Sequence, residues 1–305
     1  MNIESLKIIL TVSNLYFMSK SKKTTKPKKR PEKFHHFHDC VSVLRESVYM
    51  IVRGVEKEVE GKKMINWQTL GTGFLVAPNR MITASHVIDN LENGGTKHED
   101  GNKYYLVRRD DIESFHFYIF EPKINKEIFL YPDKDLAIIY LNDNFYQDGN
   151  KIFVDKNNFI RVSQDLQPIG KEIGILGYPL CRLAFENSDL SKPLIGNILL
   201  RTDKGVVNCR YKTSEIDFHY EFTLSFNPGN SGGPIFDIRS GRLVSIVKGY
   251  KAISISNKEV IIPEEKRKDL KEYGEGSFIE TLHANYSLGF STFSFVEIFK
   301  KHGIL

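Results

Sequence analysis

Ser231 stands in the run "NPGNSGGPIF", Asn227 to Phe236, where glycines, prolines and asparagines surround a single hydroxyl. Acyl transfer by a serine needs an exposed hydroxyl, a base within reach of its proton, and N–H donors facing the developing oxyanion. Backbone donors converge on one point only where the chain curls tightly, and glycine enters the backbone regions such a curl requires. Here the amides of Gly229 and Ser231 can turn to one side with Asn230 between them. Gly229, Asn230 and Ser231 are therefore the candidate oxyanion hole. Gly232 and Gly233 let the chain pass close beneath the hydroxyl, and Pro234 fixes the exit into a strand. The bland alternative is a tight glycine-rich link between two strands with no chemistry, and a bare G-x-S-G would not rise above it.

A lone serine is not a catalyst. Among nine histidines, His86 stands out in "RMITASHVIDNL", because a β-type run ends at Ala84 and the chain then turns into one helical turn. A strand end aims the imidazole and leaves it reachable. His98, His116, His219, His283 and His302 lack that setting and read as solvated or partly buried structural residues. A third group must orient the imidazole and stabilise its cation. "YPDKDLAIIYL" offers Asp133 and Asp135. Asp135 directly precedes a continuous apolar run, where the chain enters the core, and is favoured over Asp133, which reads as solvated in the turn.

One further cluster, "FHHFHDC", holds His35, His36, His38 and Cys40. Adjacent ligands on an extended chain point opposite ways, and no second cluster completes a site, so no metal site is expected. No cofactor is expected either.

The elements that must position these residues are mostly short and β-type. "HDCVSVLRESVYMIVRG" reads as a short helix, with Asp39 as its N-cap, running into a strand at Val48–Val52. Further strands are expected at Thr72–Val76, Met81–Ala84, Tyr104–Arg108, Ser114–Phe120 and Leu136–Leu141. Others follow at Phe159–Val162, Glu172–Leu176, Ile195–Arg201, Val206–Tyr211, Phe218–Ser225, Gly233–Phe236 and Arg242–Tyr250. Turn signals such as "DKDL", "DKG" and "RSG" separate them. Many short strands and few helical periods argue an all-β sandwich or a pair of barrels. "SFVEIFKKHGIL" carries apolar residues at helical spacing and should close the chain as a helix.

In order, "TASHV", "DLAIIYL" and "NPGNSGGPIF" resemble the trypsin-like serine proteases, and "NPGNSGGP" is most similar to the HtrA-type branch. "GTGFLVAPNRMITASHV" looks like that family's hairpin leading into its histidine. "ILGYP" resembles its glycine-tyrosine-proline turn, and "LGFSTFSFVEIFKKHG" its closing strand and helix. The resemblance covers roughly residues 40 to 305. It implies two six-stranded antiparallel β-barrels with the site in the cleft between them. His86 and Asp135 would come from the first barrel and Ser231 from the second. The implied organisation is a disordered basic tail at 1–38, a first barrel at 39–150, and a second barrel with a closing helix at 151–305.

By the same resemblance, Ser225 takes the pocket-floor position and Phe226 the wall. Val247, Lys248 and Gly249 look like the strand that pairs with substrate. With no acid at Ser225, a small or medium apolar P1 residue is implied rather than a basic one. Asn230 replaces the aspartate that pairs with a new N-terminus in digestive-type members, so that activation is not expected. No PDZ domain is expected after the closing helix, and with it no PDZ-mediated substrate capture. The stretches 90–130 and 142–168 look longer than in a minimal member and are candidate docking sites for a regulatory protein partner.

The 305 residues, 41% of them hydrophobic, suffice for a sizeable core. No stretch is long and apolar enough to cross a membrane as a helix. Residues 20–33 hold eight basic residues against one acid, a charge of +7, while the protein nets +5, so the rest carries −2. Such a run cannot bury a core and is expected to be a solvated linker, with an anionic partner, nucleic acid or lipid, as the alternative. Cys40, Cys181 and Cys209 are sparse and odd in number. They suggest a reducing, cytoplasmic setting, although a Cys181–Cys209 bridge and a weak apolar leader at Ser5–Met18 leave secretion open. The function expected is peptide-bond hydrolysis by a serine endopeptidase acting on a protein or peptide. The competing readings are an inactive binding module on the same fold and a protein tethered by its basic tail.

Overall fold

The computed structural model describes residues 33–59, 62–88, 103–109, 115–120, 127–141, 158–179, 184–185, 193–194, 199–261 and 277–305. The basic run of residues 20–32, the apolar leader, His98 and Cys181 lie outside the described residues, as does most of the two long stretches.

Strand β1 (Val48–Val59) shows why two layers form. Successive side chains of a strand point to opposite faces. Tyr49 and Ile51 enter one buried cluster, with Leu75, Met81 and Ile139, while Val48, Met50 and Val52 enter another, with Leu176, Phe236 and Phe299. A strand buried on both faces must read as a near-continuous apolar run, which "VYMIV" does. β7 (Leu136–Tyr140) divides the same way, Ala137 and Ile139 to one side, Leu136 and Ile138 to the other.

With β2 (Lys62–Ala77), β3 (Arg80–Thr83), β4 (Lys103–Arg109), β5 (Phe115–Phe120) and β6 (Ile128–Tyr131), these strands form a seven-stranded antiparallel sheet in the order β5-β4-β1-β2-β3-β7-β6. The second lobe is a closed six-stranded barrel, order β11-β12-β15-β14-β13-β8. Its strands are β8 (Glu172–Gly177), β11 (Arg201–Lys212), β12 (Phe218–Phe222), β13 (Pro234–Asp237), β14 (Leu243–Ile261) and β15 (Ser277–Ser291). A two-stranded pair, β9 (Ala184–Phe185) and β10 (Pro193–Leu194), lies between β8 and β11 in sequence. The fold class is the all-β, two-lobed arrangement expected, with a seventh strand in the first sheet.

Among the described residues, three α-helical pieces flank the lobes: α1 (Phe37–Leu44), the single turn α2 (Ser85–Ile88), and α3 (Val296–Lys301). Asp39 is not the N-cap of α1. His36 takes that position and Asp39 sits in the first turn, where its charge suits the positive helix end. Aromatic burial sets the earlier start: Phe34 is buried, and the Phe37 ring stacks on Phe236 at 6.3 Å. The strand expected at Phe159–Val162 is an extended connection with one parallel bridge, Val162 to Leu243. Of the strand expected at Ile195–Arg201, Arg201 alone is in β11, and 195–198 lie outside the described residues. Among the described residues, Cys209 is a free thiol, and no helix is long and apolar enough to cross a membrane.

Candidate active site

His86 lies on α2, directly after β3. Ser85, Val87 and Ile88 around it are buried, so the turn is anchored while the imidazole stays partly open at 20% exposure. Asp135 follows the 3-10 turn Pro132–Lys134 and is left-handed, φ 46° and ψ 45°, the only described non-glycine residue with positive φ. Asp tolerates this region better than most residues, and here it turns the carboxylate back toward β3. Both carboxylate oxygens lie 2.9 Å from His86 Nδ1. Oδ1 also accepts from the His86 amide at 3.1 Å and from the Ser85 hydroxyl at 3.0 Å. A carboxylate only accepts, so Nδ1 carries the ring proton and Nε2 is left as the acceptor, the tautomer a general base needs. Asp133 is exposed in the turn. Among the described residues, the hydrogen bonds of His86 go to Asp135 alone.

The serine run folds as a β-turn with the Asn230 amide donating to Asn227 O at 3.0 Å. Pro228 and Gly229 are its central residues, and Gly229 has φ +97°. Proline followed by a positive-φ glycine is the signature of a type II turn. Its central peptide is rotated by about half a turn relative to type I, and that peptide carries the Gly229 N–H. Among the described residues, neither the Gly229 nor the Ser231 amide donates to a backbone acceptor. The Asn230 amide is committed to the turn, so Asn230 serves as the spacer between two donors and is not a donor itself. Its buried side chain lies against Gly177.

The two lobes meet at this turn. The Thr72 amide of β2 donates to Ser231 O at 2.9 Å, and Thr72 Oγ1 donates to Gly229 O at 2.7 Å. Gly232, φ +78°, packs so closely that an added Cβ would fall 2.1 Å from Thr83 Oγ1 and 2.7 Å from the Ala84 amide. Ser231 is therefore one residue from backbone that touches the segment ending two residues before His86. The residue after Ser231 thus packs on the strand end that leads into His86, while the hydrogen bonds of the His86 ring among the described residues go to Asp135.

The pocket residues are mixed. The Ser225 amide donates to Asp203 Oδ2 at 3.0 Å, and the Phe226 ring packs toward Phe222, with centroids 6.3 Å apart. Val247 has both backbone groups bonded to the serine run: its amide donates to Gly233 O at 3.0 Å and its carbonyl accepts from Gly232 at 2.9 Å. It therefore braces the serine run and has no backbone group to offer a substrate. Lys248 and Gly249 remain on that edge. Lys248 is exposed, with Nζ 4.6 Å from the Phe290 ring centroid, and a Cβ on Gly249 would meet nothing within 4 Å. A bulge in the β14–β15 register falls here.

Sequence reasoning missed Thr72, Ser85 and Asp203, and also the ion pair of Lys134 with Asp217, which joins the residue before Asp135 to the β11–β12 hairpin. The Lys134 ammonium holds the Asp217 carboxyl below its ordinary range. Thr72 lay in the quoted "GTGF", but only its contacts across 157 and 159 positions reveal what it does.

The sequence matches the trypsin-like peptidase domain family over residues 71–246, more than half of the chain. Among solved structures, the HtrA-type protease AlgW with a decapeptide aligns with a TM-score of 0.51 at 13% identity. That alignment covers 87% of this chain and 66% of AlgW, so the chain spans just under two thirds of that protein. Rv3671c from M. tuberculosis H37Rv, an inactive-form serine-to-alanine mutant, aligns with a TM-score of 0.45 at 14% identity, covering 87% of this chain and 90% of that one.

Proposed function

The chain belongs to the family of trypsin-like peptidase domains, and from that premise we propose that it is a serine endopeptidase. Ser231 is the nucleophile, His86 the general base, and Asp135 the group that orients His86. One observation carries the reading: the imidazole–carboxylate pair at 2.9 Å stands at the strand end on which Gly232 of the serine run packs.

Ser231 Oγ attacks the carbonyl carbon of the scissile peptide bond and its proton passes to His86 Nε2. The new oxyanion faces the amides of Gly229 and Ser231. His86 then gives the proton to the leaving amine as the C–N bond breaks, leaving an ester on Ser231. Water attacks that ester, His86 takes the water's proton, and the carboxylic acid departs as Oγ regains a proton. Asp135 stays ionised and stabilises the imidazolium at each stage. In apo sites the serine–histidine bond is often long and tightens with substrate bound.

The substrate is an extended peptide laid along the Lys248–Gly249 edge; the decapeptide seen with AlgW supports a peptide as the ligand class. An apolar P1 residue follows from the resemblance, which puts Ser225 at the pocket floor and Phe226 at its wall. Asp203 is the acid beside Ser225, but each of its oxygens already accepts from a backbone amide, Ser225 or Lys204.

The test is labelling with a fluorophosphonate probe beside hydrolysis of a peptide library. Wild type should label at Ser231 and cleave after apolar residues. Ser231→Ala should not label and should retain only the trace rate that binding and the oxyanion donors supply. Equal cleavage by both proteins would overturn the assignment.

A further inference from the structure

Thr72 is fully buried in β2 and spends every polar group it has on this junction. Its hydroxyl donates to Gly229 O at 2.7 Å and accepts from the Tyr178 amide at 3.0 Å. Its amide donates to Ser231 O at 2.9 Å, and its carbonyl accepts from Thr83 Oγ1 at 2.8 Å. The Gly229 carbonyl belongs to the peptide between residues 229 and 230, and the Ser231 carbonyl to the peptide between 231 and 232. Between those two lies the peptide that carries the Ser231 N–H. That middle peptide is anchored by its own carbonyl, Asn230 O, which accepts from the Gly233 amide at 2.8 Å, and Thr72 fixes the planar units on either side of it, which sets where its two Cα atoms stand.

We propose that Thr72 is a positioning residue of the first lobe that sets the placement of the Ser231 amide, one of the two oxyanion donors, in the second. The proposal rests on the serine-endopeptidase reading above. Its chemical basis is that the Thr72 hydroxyl must donate and accept at once. The Tyr178 amide can only donate to it, which directs the hydroxyl proton to Gly229 O. A residue that fills the same space without that dual capacity leaves a buried carbonyl and a buried amide unpaired, which the turn relieves by rotating.

Three variants separate this role from packing. Thr72→Ser keeps the hydroxyl and should hold kcat within about threefold of wild type. Thr72→Val keeps the shape and loses both hydrogen bonds. It should lower kcat by about 10- to 100-fold with KM within about twofold, short of the full loss of one oxyanion donor. Thr72→Ala should fall between them, because the vacated space admits a water that bridges Gly229 O and the Tyr178 amide. Affinity for a peptide boronate, which mimics the tetrahedral state, should fall in step with kcat.

A packing role reverses the order, with valine nearest to wild type, and that result would overturn the proposal. If the valine variant does not fold, the serine and alanine variants decide. Serine exceeding alanine by several-fold in kcat supports the role, and equality removes it. Wild-type labelling at Ser231 keeps the two readings apart. An active wild type with an equally active valine variant sinks this inference alone, whereas an unlabelled, inactive wild type sinks the enzyme assignment and this inference with it.

Discussion

The Asp135 carboxylate lies with both oxygens 2.9 Å from His86 Nδ1 while its own backbone is left-handed at φ 46°. The two facts are linked, because the 3-10 turn at Pro132–Lys134 would otherwise carry the side chain past α2. Asn tolerates the same backbone region, so Asp135→Asn should fold with a Tm near that of wild type. Its amide, however, offers a donor where the imidazole needs an acceptor, and the wrong tautomer results. In the trypsin-type triad that change lowers kcat by about 10⁴, and a loss of that order is expected here. Steady-state kinetics on a peptide substrate decides. Activity within tenfold of wild type would move the orienting role to another acid, Asp133 first.

Gly229 supplies the second expected outcome. Its φ of +97° lies where a Cβ is strained, at a cost of roughly 1–2 kcal/mol for an L residue. Gly229→Ala should relax the turn toward type I and rotate the residue-229 amide away from the oxyanion. The expected loss in kcat is about 10²–10³ with substrate binding little changed. A peptide boronate would report it directly as weakened affinity, and undiminished boronate binding would show that the amide is not a donor.

Ser231, His86 and Asp135 were legible in the sequence because each combines a reactive type with a local setting: a glycine-rich curl, a strand end, and the mouth of an apolar run. Val48–Val52 was legible because alternate residues feed two cores, leaving no polar face. The long hairpin arms were not. "GVEKEVEGKKMINW" is too polar to show a buried alternation, yet Gly54 to Val59 pair with Lys62 to Trp67 through the backbone. Thr72, and the commitment of the Val247 backbone to the serine loop, were hidden for another reason. Their roles come from partners far away in sequence, and neither residue type announces chemistry by itself.

His302 gives a pH dependence. The residue is buried, with Nε2 2.6 Å from the Tyr131 hydroxyl and Nδ1 2.7 Å from that of Tyr140. Burial first, then the charges of Lys301 and Arg80, hold its pKa below the ordinary 6.5. Between that lowered value and 6.5 the unfolded chain binds more protons than the folded one, so stability rises with pH in this window. The contribution is complete above about pH 6.5 and is lost as pH falls toward the folded value. His219, also lowered mainly by burial, acts in the same direction. Urea denaturation at pH 7.5 and 5.5 should show lower stability at the acid pH, and His302→Gln should shrink the difference. A difference undiminished in that variant would assign the effect elsewhere.

The Lys134–Asp217 pair ties the turn holding Asp135 to the second lobe, with side-chain exposures of 22% and 25%. Ser214 Oγ donates to the other Asp217 oxygen at 2.8 Å, which fixes the acid for its partner. Exposed pairs give about 0.2–1 kcal/mol, and hydrogen bonds to charged groups about 1.5–3 kcal/mol. This half-covered pair should therefore show a coupling of about 1 kcal/mol in a double-mutant cycle of Lys134→Gln with Asp217→Asn. The Asp217 pKa is lowered chiefly by its hydrogen bond to Lys134. The stabilisation is thus full above the ordinary carboxyl value of 3.8 and is lost as pH falls through the lowered one. Raising salt from 0.05 to about 1 M should shrink the coupling without abolishing it, since partly covered charges are screened less than exposed ones. A coupling indistinguishable from zero at low salt would reduce the pair to a surface contact and leave the apposition of the lobes to their shared apolar core and the Thr72 contacts.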